Sequence, residues 1–410
     1  MTSDLLTVKL EKLTYGGDAL GRLSDGRAVF VPFALPGETV RIRCVDEKRG
    51  HVRADLVEVL EPSPERIASK CKHFGLCGGC HYQHLPNTAQ LTAKTGILHD
   101  QLRRIGKIEN PPVKQMVPSP TEWNYRNHIQ FHLTHDGKLG YVDAHSRNVI
   151  PITECHLPEP SLNVLWPRLE FDPGLGLERV SLRLGMDEEA MLVLESESPE
   201  APELELEADL SVVHLTGDDG LVMAGDNFLA MRVNDRPFHV SAASFFQVNT
   251  AMAGKMVAHL MDNLPVSEAT TLLDVYCGVG LFSLFFAPRV GRLIGIESSP
   301  LACEDFTLNL DEFNNVELYE APAEEVLPAL EVKPDIAIVD PPRTGLEKRV
   351  LDALLAQGPA RIAYVSCDPS TLGRDAAHLI AGGYRLLQVT PFDLFPQTYA
   401  IESISIFEKG

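Results

Sequence analysis

The sequence predicts a multidomain protein with a small β barrel at its amino end and an α/β domain with a parallel sheet at its carboxyl end. Three observations support this. The chain has 410 residues, too long for one ordinary core but right for two or three domains of about 100 to 200 residues. Short runs that alternate apolar and polar residues fill the first part of the chain. Apolar runs that end in an acidic residue or a cysteine fill the last part. The predicted domains are residues 1–62, 63–240 and 241–410.

The composition indicates a globular protein that is neither embedded in a membrane nor built on disulfides. No apolar run approaches the ~20 residues of a membrane span, and residues 1–4 lack a signal pattern, so we expect a cytoplasmic protein. Eight cysteines are too few for a disulfide scaffold in a chain of this length. Three of them lie within ten residues, from Cys71 to Cys80, which in a reducing compartment favours a metal.

Charge is distributed unevenly along the chain. The net charge of −21 argues against a polyanionic partner for the protein as a whole. Residues 1–130 nevertheless carry 18 Lys and Arg against 14 Asp and Glu, a net of +4, and the remainder carries a net of −25. We therefore expect a nucleic acid to contact the amino-terminal third.

The first sixty residues predict a closed β barrel. Alternating runs occur at residues 6–10, 29–32, 38–43 and 56–60, with turns at 16–17 and 25–26. Short strands at this spacing are typical of small barrels. Residues 15–21, 29–32 and 35–38 resemble a TRAM domain, an OB-like RNA-binding barrel. The alternative is a barrel that only packs against the next domain, because a fold alone does not fix a function.

A cysteine motif follows the barrel. Cys71, Cys77 and Cys80 are separated by glycine-rich segments that permit a tight loop, and three thiolates need a fourth ligand to complete a metal site. Cys155 is the candidate downstream. Zinc could take all four thiolates, or the first three with one of the nearby histidines, which are His73, His81 and His84. The spacing therefore predicts a metal centre without choosing the metal.

Two segments after this motif are candidates for RNA contact. Residues 90–105 have a helical pattern, and Lys94, Arg103 and Arg104 make this a basic part of the chain. Residues 123–128 (Trp-Asn-Tyr-Arg-Asn-His) interleave aromatic, cationic and amide side chains, which can stack on unpaired bases and hydrogen-bond to them. The alternative is an ordinary strand start whose aromatic rings lie in a core.

Four apolar runs in the last part of the chain predict strands of a Rossmann-like sheet. They end at Tyr276, which precedes a glycine turn, and at Glu297, Asp340 and Cys367. The carboxyl ends of parallel strands form the ligand-binding edge of such a sheet. A glycine turn with carboxylates suits S-adenosylmethionine, because no P-loop lysine is present and the carboxylates would repel a pyrophosphate.

Motifs along the whole chain resemble the RNA 5-methyluridine methyltransferases, and residues 123–127 resemble the segment that opens their central domain. The motifs occur in the family's order at residues 245–249 (Phe-Phe-Gln-Val-Asn), 274–280 (Asp-Val-Tyr-Cys-Gly-Val-Gly), 340–343 (Asp-Pro-Pro-Arg), 366–369 (Ser-Cys-Asp-Pro) and 393–402. The fold class implied is multidomain α+β and α/β: a TRAM barrel, a central α/β domain with the four-cysteine loop, and a Rossmann-like methyltransferase domain. The cysteine spacing resembles the [4Fe-4S] motif of a subset of the family.

The resemblance implies a role for each matching residue. It assigns S-adenosylmethionine contacts to Gln247, Tyr276, Glu297 and Asp340, the nucleophile to Cys367, the proton acceptor to Glu402, and a [4Fe-4S] cluster to Cys71, Cys77, Cys80 and Cys155. Chemistry supports the catalytic pair independently. Uracil C5 is a weak nucleophile, so a thiolate must first add at C6, and a carboxylate must later remove the C5 proton. The base must be unpaired or flipped out, so a loop or bulge in RNA is the expected target.

The resemblance favours a uridine of 23S ribosomal RNA as the substrate, with a transfer RNA uridine as the alternative, and we expect a monomer. Two positions depart from the family pattern. Ala400 stands where a histidine is usual, and Asp368 stands where asparagine is common. An anion at residue 368 would oppose thiolate formation unless it is paired or turned away. Arg343 has two alternative roles, to orient the uracil or to hold its loop through an ion pair.

Rival functions remain open at this point. An amino-group methyltransferase usually has an aromatic residue after its Pro-Pro, where Arg343 stands here, and a cytosine C5 enzyme would use the same thiol addition. A non-catalytic iron-sulfur RNA-binding module is the alternative from another class. Cys367 and Glu402 argue against that module, whereas Ala400 and the acidic carboxyl part favour it weakly.

Overall fold

The computed structural model describes residues 5–146, 148–205, 209–217 and 219–410. The chain begins with a closed barrel in the order β1-β2-β3-β5-β4. Its strands are β1 (Leu6–Leu13), β2 (Ala19–Arg22), β3 (Ala28–Val31), β4 (Thr39–Glu47) and β5 (His51–Glu61). Alternate residues of these strands, such as Val8 and Leu10, are buried inside the barrel. The predicted barrel is confirmed.

A long helix and a mixed sheet follow the barrel. The helix, α1, spans Asn87–Arg104 and begins three residues before the predicted start. The sheet has the order β12-β11-β10-β9-β6-β7-β8 and only its β10–β11 pair is parallel. Its strands are β6 (His128–Leu133), β7 (Leu139–Val142), β8 (Val149–Pro151), β9 (Leu177–Leu184), β10 (Ala190–Ser196), β11 (Ser211–Thr216) and β12 (Asp219–Ala224), and α2 (Pro160–Leu165) lies between β8 and β9. Phe131 and Trp166 pack in its core with ring centroids 5.3 Å apart.

A hairpin of β13 (Phe228–Val233) and β14 (Arg236–Ser241) leads into the last sheet. That sheet has the order β17-β16-β15-β18-β19-β21-β20. Its elements are α3 (Thr250–Asn263), β15 (Thr271–Val275), α4 (Ser283–Phe286), β16 (Arg292–Glu297), α5 (Pro300–Asn309), β17 (Val316–Glu320), α6 (Ala323–Ala329), β18 (Ile336–Val339), α7 (Lys348–Gln357), β19 (Arg361–Ser366), α8 (Pro369–Ala381), β20 (Tyr384–Phe392) and β21 (Glu402–Lys409). Short 3₁₀ turns occur at Trp166–Arg168, Met186–Glu188 and Ala287–Arg289.

The topology of the last sheet places a ligand crevice at one edge. β15 to β19 are parallel, and β21 runs antiparallel between β19 and β20. Every residue of β18 is buried, as expected for a strand covered by helices on both faces. The strand order reverses at β15, because β16 and β17 lie on one side of it and β18 on the other. Ligands bind at the carboxyl ends of the strands beside such a reversal.

The barrel and the last sheet share one hydrophobic core, which also includes Leu98 of α1. Helix α1 packs against α8, where Gly106 and Gly373 bring the two backbones close together. A fully buried ion pair joins Lys94 of α1 to Asp393, with Nζ and Oδ1 2.7 Å apart. Lys94, which the sequence placed among the basic residues of a candidate RNA-binding face, is therefore an internal residue. Among the described residues, no helix is long and apolar enough to cross a membrane.

Candidate active site

Cys367 and Glu402 lie side by side across two neighbouring strands. Ser366, the last residue of β19, pairs with Ser403 of β21 in antiparallel register, so the next position along the register brings Cys367 opposite Glu402. The cysteine is partly buried and the glutamate is buried. The two residues that the sequence predicted as nucleophile and proton acceptor are 35 positions apart in the chain, and the register of the sheet brings them together.

Burial and negative charge disfavour ionisation of both groups. Burial, followed by the charges of Glu402 and Asp340, raises the pKa of the Cys367 thiol to about 12. Burial and the charge of Asp340 also raise the pKa of Glu402 well above its ordinary value. At neutral pH the thiol therefore holds its proton in the free site, and a substrate or a cation must stabilise the thiolate.

Arg343 provides positive charge at this site. Its guanidinium lowers the pKa of both Cys367 and Glu402 against the opposing effect of burial. The residue is exposed and, among the residues that the structure describes, it has no ion-pair partner. The ion pair considered as one alternative role of Arg343 is thus absent from the described part of the chain.

Asp368 is held by the helix that follows it. Its Oδ1 accepts hydrogen bonds from the backbone N–H groups of Ser370 (2.8 Å) and Thr371 (3.0 Å), which makes it the N-cap of α8. Its Oδ2 accepts a hydrogen bond from the hydroxyl of Tyr15 in the barrel (2.9 Å). The carboxylate that departs from the family pattern is therefore paired, which was the condition for its tolerance beside Cys367.

Three of the four predicted cofactor residues, Tyr276, Glu297 and Asp340, lie at the carboxyl ends of β15, β16 and β18, whereas Gln247 lies between β14 and α3. Tyr276 adopts a left-handed conformation (φ 64°), which is rare for a bulky side chain and typical of functional sites. Glu297 accepts backbone N–H bonds from Gly278 (3.0 Å), Ser298 and Ser299 (both 2.8 Å), so it fixes the glycine turn to the end of β16. A Cβ atom at Gly278 would meet no atom within 4 Å, so the backbone of the turn is open to a ligand.

Asp340 follows β18, and its backbone N–H donates to the carbonyl of Val275 on β15 (3.1 Å). Burial and the charge of Asp274 raise the pKa of Asp340 to about 7. Asp274 is itself buried, accepts a bond from the Ser283 hydroxyl at 2.6 Å, and has its pKa raised by burial to about 6. A carboxyl group with a pKa near 7 at the end of a central strand is a candidate for contact with a cationic ligand.

Residues of the 123–128 motif hold two segments of the site in place. The side chain of Asn127 donates to the carbonyl of Gln247 (3.1 Å), and its backbone N–H donates to the carbonyl of Val248 (3.0 Å). The hydroxyl of Tyr125 donates to the carbonyl of Pro396 (3.0 Å), in the segment that leads to Glu402. Both side chains are buried, as the core alternative expects for Tyr125, whereas Trp123 is only partly buried. The aromatic and amide pattern was the only sequence signal for these contacts.

The four predicted metal ligands come from two segments that are hydrogen-bonded to each other. The backbone N–H of Lys72 donates to Glu154 Oε1 (2.7 Å), and that of Thr153 donates to His73 Nε2 (3.0 Å). These bonds bring Cys155 to the loop that carries the other three cysteines. Burial raises the pKa of all four thiols. The charges of neighbouring cysteines contribute to the raised pKa of Cys77 (about 11), Cys80 (about 12) and Cys155.

One arginine lies beside the cysteines. Arg126 is partly buried, and its buried Nε has no hydrogen-bond partner among the described residues. Its charge lowers the pKa of Cys80 and of Cys155, so the guanidinium faces these thiols. A buried cation without a carboxylate is costly unless it faces negative charge, which thiolates that ligate a metal would supply. In the described part of the chain, no group of three or more His, Cys, Asp or Glu side chains is arranged to hold a metal ion.

Comparison with known families agrees with this arrangement of site and barrel. A family model described as tRNA (uracil-5-)-methyltransferase matches residues 205–409, which is half of the chain, and a TRAM domain model matches residues 3–57. The chain belongs to the tRNA (uracil-5-)-methyltransferase family. Members of this family are S-adenosylmethionine-dependent RNA uracil C5 methyltransferases, and the TRAM domain supports binding to RNA.

Relatives cover nearly the whole chain. An uncharacterized RNA methyltransferase of Thermosynechococcus vestitus is 33% identical over 98% of this chain and 97% of its own length. One of Aquifex aeolicus is 35% identical over 98% of each chain. The crystal structure of the Pyrococcus abyssi tRNA (uracil-54, C5)-methyltransferase with S-adenosyl-L-homocysteine is similar, with a TM-score of 0.77, 27% identity, and coverage of 98% of this chain and 100% of that one. The family assignment therefore applies to barrel, central sheet and catalytic sheet together.

Proposed function

We propose that the protein methylates C5 of a uracil in structured RNA through a covalent bond between Cys367 and C6 of the base. The observation that carries this proposal is the register of β19 and β21, which sets Cys367 beside Glu402. A thiol and a carboxyl at one point of a ligand-binding edge are the two groups that addition at C6 and proton removal at C5 require.

The proposed steps use these two side chains in turn. The Cys367 thiolate adds to C6, and the electrons of the C5=C6 bond move into an enolate that ends on O4. S-adenosylmethionine, when bound, supplies an electrophilic methyl group, which C5 takes as S-adenosylhomocysteine leaves. The carboxylate of Glu402 then removes the C5 proton. The C6–S bond breaks, the C5=C6 bond is restored and the thiolate is released.

Arg343 is proposed to assist this addition. Since the thiol has a pKa of about 12 in the free site, the thiolate needs compensating positive charge. The guanidinium lowers that pKa and is exposed to an incoming base. The same charge would stabilise the negative oxygen of the enolate, an interaction that is stronger in the addition step than in the bound uracil.

We propose that Gln247, Tyr276, Glu297 and Asp340 hold S-adenosylmethionine. The open turn at Gly278 and the carboxyl ends of β15, β16 and β18 support this placement.

We also propose a [4Fe-4S] cluster on Cys71, Cys77, Cys80 and Cys155. Its support is the resemblance of the spacing together with the two hydrogen-bonded segments and the partly buried Arg126. The chemistry of uracil methylation transfers no electron, so the role proposed for a cluster is structural.

The proposed substrate is a uridine of ribosomal RNA, as the motif resemblance favours. A transfer RNA uridine is the second candidate, because the similar Pyrococcus abyssi enzyme is described as a tRNA (uracil-54, C5)-methyltransferase. We further propose that the protein is a cytoplasmic monomer, divided at residues 1–62, 63–240 and 241–410. The basic balance of residues 1–130 supports RNA contact by the barrel side of the molecule.

The test is a covalent trap. The protein is incubated with S-adenosylmethionine and RNA that contains 5-fluorouridine, and the products are separated on a denaturing gel. Fluorine does not leave C5 as a proton does, so the methylated adduct persists as a shifted band. We expect the band with wild-type protein and its loss in Cys367→Ala, while RNA binding by Cys367→Ala is retained.

Two comparisons complete the test. Glu402→Gln should accumulate adduct even on ordinary uridine RNA, because the C5 proton stays in place. Parallel reactions with 23S ribosomal RNA and with transfer RNA transcripts decide the substrate. If neither RNA forms an adduct with protein whose absorbance shows a full complement of cluster, the catalytic proposal is refuted and the RNA-binding module is favoured.

A further inference from the structure

One residue of the barrel contacts the segments on both sides of the catalytic pair. Tyr15 lies in the loop between β1 and β2 and donates a hydrogen bond to Asp368 Oδ2 at 2.9 Å. Its ring also packs edge-on against that of Tyr399, with centroids 5.7 Å apart. Asp368 directly follows Cys367, and Tyr399 lies three residues before Glu402. A residue of the first domain thus touches both chain segments that carry the proposed chemistry.

The two oxygens of Asp368 have separate partners. Oδ1 caps α8 by accepting hydrogen bonds from the backbone N–H groups of Ser370 and Thr371. The backbone of Asp368 is bonded to the Ser366 hydroxyl, which accepts from the Asp368 N–H (3.2 Å) and donates to the Asp368 carbonyl (3.0 Å). For Oδ2, the partner in the described part of the chain is the hydroxyl of Tyr15. Without that hydroxyl, half of the carboxylate has no bond to direct it.

The direction of this carboxylate affects Cys367. The charge of Asp368 is one of the causes that raise the pKa of the thiol. Burial and Asp368 raise the pKa of Tyr15, so its hydroxyl keeps its proton and remains a donor. A charge-assisted hydrogen bond draws negative charge toward the donor and fixes the geometry of the acceptor. The Tyr15 hydroxyl therefore holds the Asp368 charge in the cap orientation and limits its effect on the thiol.

We propose that Tyr15 is a positioning residue for Cys367. Through the hydrogen bond from Tyr15 to Asp368, the position of the barrel affects the reactivity of the nucleophile. The proposal rests on the proposed role of Cys367. The groups that face the thiol are Glu402 on β21, Asp340 and Arg343 after β18, Tyr364 on β19 and Asp368 itself. Asp368 also faces Arg374 of α8, and Arg343 also faces Tyr15. Of these groups, Asp368 is the one that accepts a hydrogen bond from the Tyr15 hydroxyl of the barrel.

The experiment measures alkylation of Cys367 by iodoacetamide as a function of pH, with the modified peptide quantified by mass spectrometry. In Tyr15→Phe we expect labelling to be about three- to tenfold slower at a given pH and the profile to move to higher pH; this is less than the full effect of one hydrogen bond to a charged group, because the effect reaches the thiol through Asp368. Asp368→Asn should label faster than wild type, because the amide keeps the cap and removes the charge. Adding Tyr15→Phe to Asp368→Asn should change nothing further.

The matched control is Tyr384→Phe, which removes a buried hydroxyl that donates to the Pro359 carbonyl at 2.7 Å, away from the site. It should lower stability without moving the labelling profile. An unchanged profile in Tyr15→Phe would overturn the proposal, as would an equal slowing in the Asp368→Asn background, since the effect would then not pass through the carboxylate. Labelling needs no RNA, so a failed fluorouridine trap would refute the proposed function and leave this result readable. If Tyr15→Phe does not fold, slower labelling of Asp368→Asn than of wild type would still overturn the proposal.

Discussion

Replacing Lys94 with methionine tests whether α1 holds the segment that leads to Glu402. The Lys94 Nζ donates to Asp393 Oδ1 at 2.7 Å and to the Phe395 carbonyl at 3.0 Å, and neither member of the ion pair is exposed. The second carboxylate oxygen of Asp393, Oδ2, has no hydrogen-bond partner among the described residues. Removing the cation therefore leaves a buried carboxylate without compensation, a change that typically costs about 3–5 kcal/mol.

That cost is measurable as a melting temperature. For a unit of the size of the catalytic domain, 1 kcal/mol corresponds to about 2–4 °C, so the melting temperature of Lys94→Met should fall by roughly 6–20 °C. Differential scanning calorimetry of wild type and variant at neutral pH is the assay.

The matched control is Lys12→Met, since Lys12 forms an ion pair of similar composition with Asp100 at 3.2 Å but is 46% exposed. Exposed pairs contribute about 0–1 kcal/mol, so this variant should melt within about 4 °C of wild type. If the two substitutions lowered the melting temperature equally, the buried pair would not be holding the segment. The fluorouridine trap should also weaken in Lys94→Met alone, because Glu402 and Cys367 would lose their fixed alignment.

Three further predictions concern the site. The raised pKa of Asp340, about 7, means that its ionisation opposes folding, so the contribution of Asp340 to stability falls as pH rises from about 4 to 7. The melting temperature of Asp340→Asn relative to that of wild type should therefore rise over that range. Arg126→Met should lower the visible absorbance of the proposed cluster per molecule of protein. After treatment with a chelator, Arg126→Met should melt no lower than wild type treated in the same way. Equal cluster absorbance in Arg126→Met and wild type would contradict the role of Arg126. Gly280→Ala should weaken the binding of S-adenosylhomocysteine measured by calorimetry, because Gly280 has a φ of 90° and an added Cβ would lie 2.5 Å from a methyl carbon of Leu310. The control is Gly96→Ala, where an added Cβ meets no atom within 4 Å, and this variant should bind normally.

Much of the fold was predictable because its signals are local. The alternating runs of the barrel, the helix α1 and the apolar strands that end at Tyr276, Glu297, Asp340 and Cys367 all depend on periodicity within a few residues. The strand ends predicted a binding edge, and the topology confirms that they share one. The pairing of Cys367 with Glu402 came from the family resemblance instead, since no local pattern shows that β21 inserts between β19 and β20.

The contacts that align the site were not predictable, because they join positions far apart in the chain. Lys94 has the sequence context of an exposed helical cation, and only the fold shows that it faces Asp393, 299 positions away. Tyr125 and Asn127 lie in a pattern suited to RNA bases, yet they hold the backbone of Pro396 and Gln247. Likewise, nothing near Asp368 in the sequence indicates that a tyrosine 353 positions away completes its hydrogen bonding.

Backbone hydrogen bonds join the cysteine loop to the segment that leads to Glu402. The two residues after Cys80, His81 and Tyr82, both donate their N–H groups to the carbonyl of Gln397, at 2.9 and 3.0 Å. Gln397 has a positive φ of 70° and exchanges side-chain and backbone bonds with Gln90 of α1. The bend that directs the chain toward Glu402 is therefore stabilised by the loop and by α1 together. In the proposed mechanism, a rigid cysteine loop would help to keep Glu402 in register with Cys367.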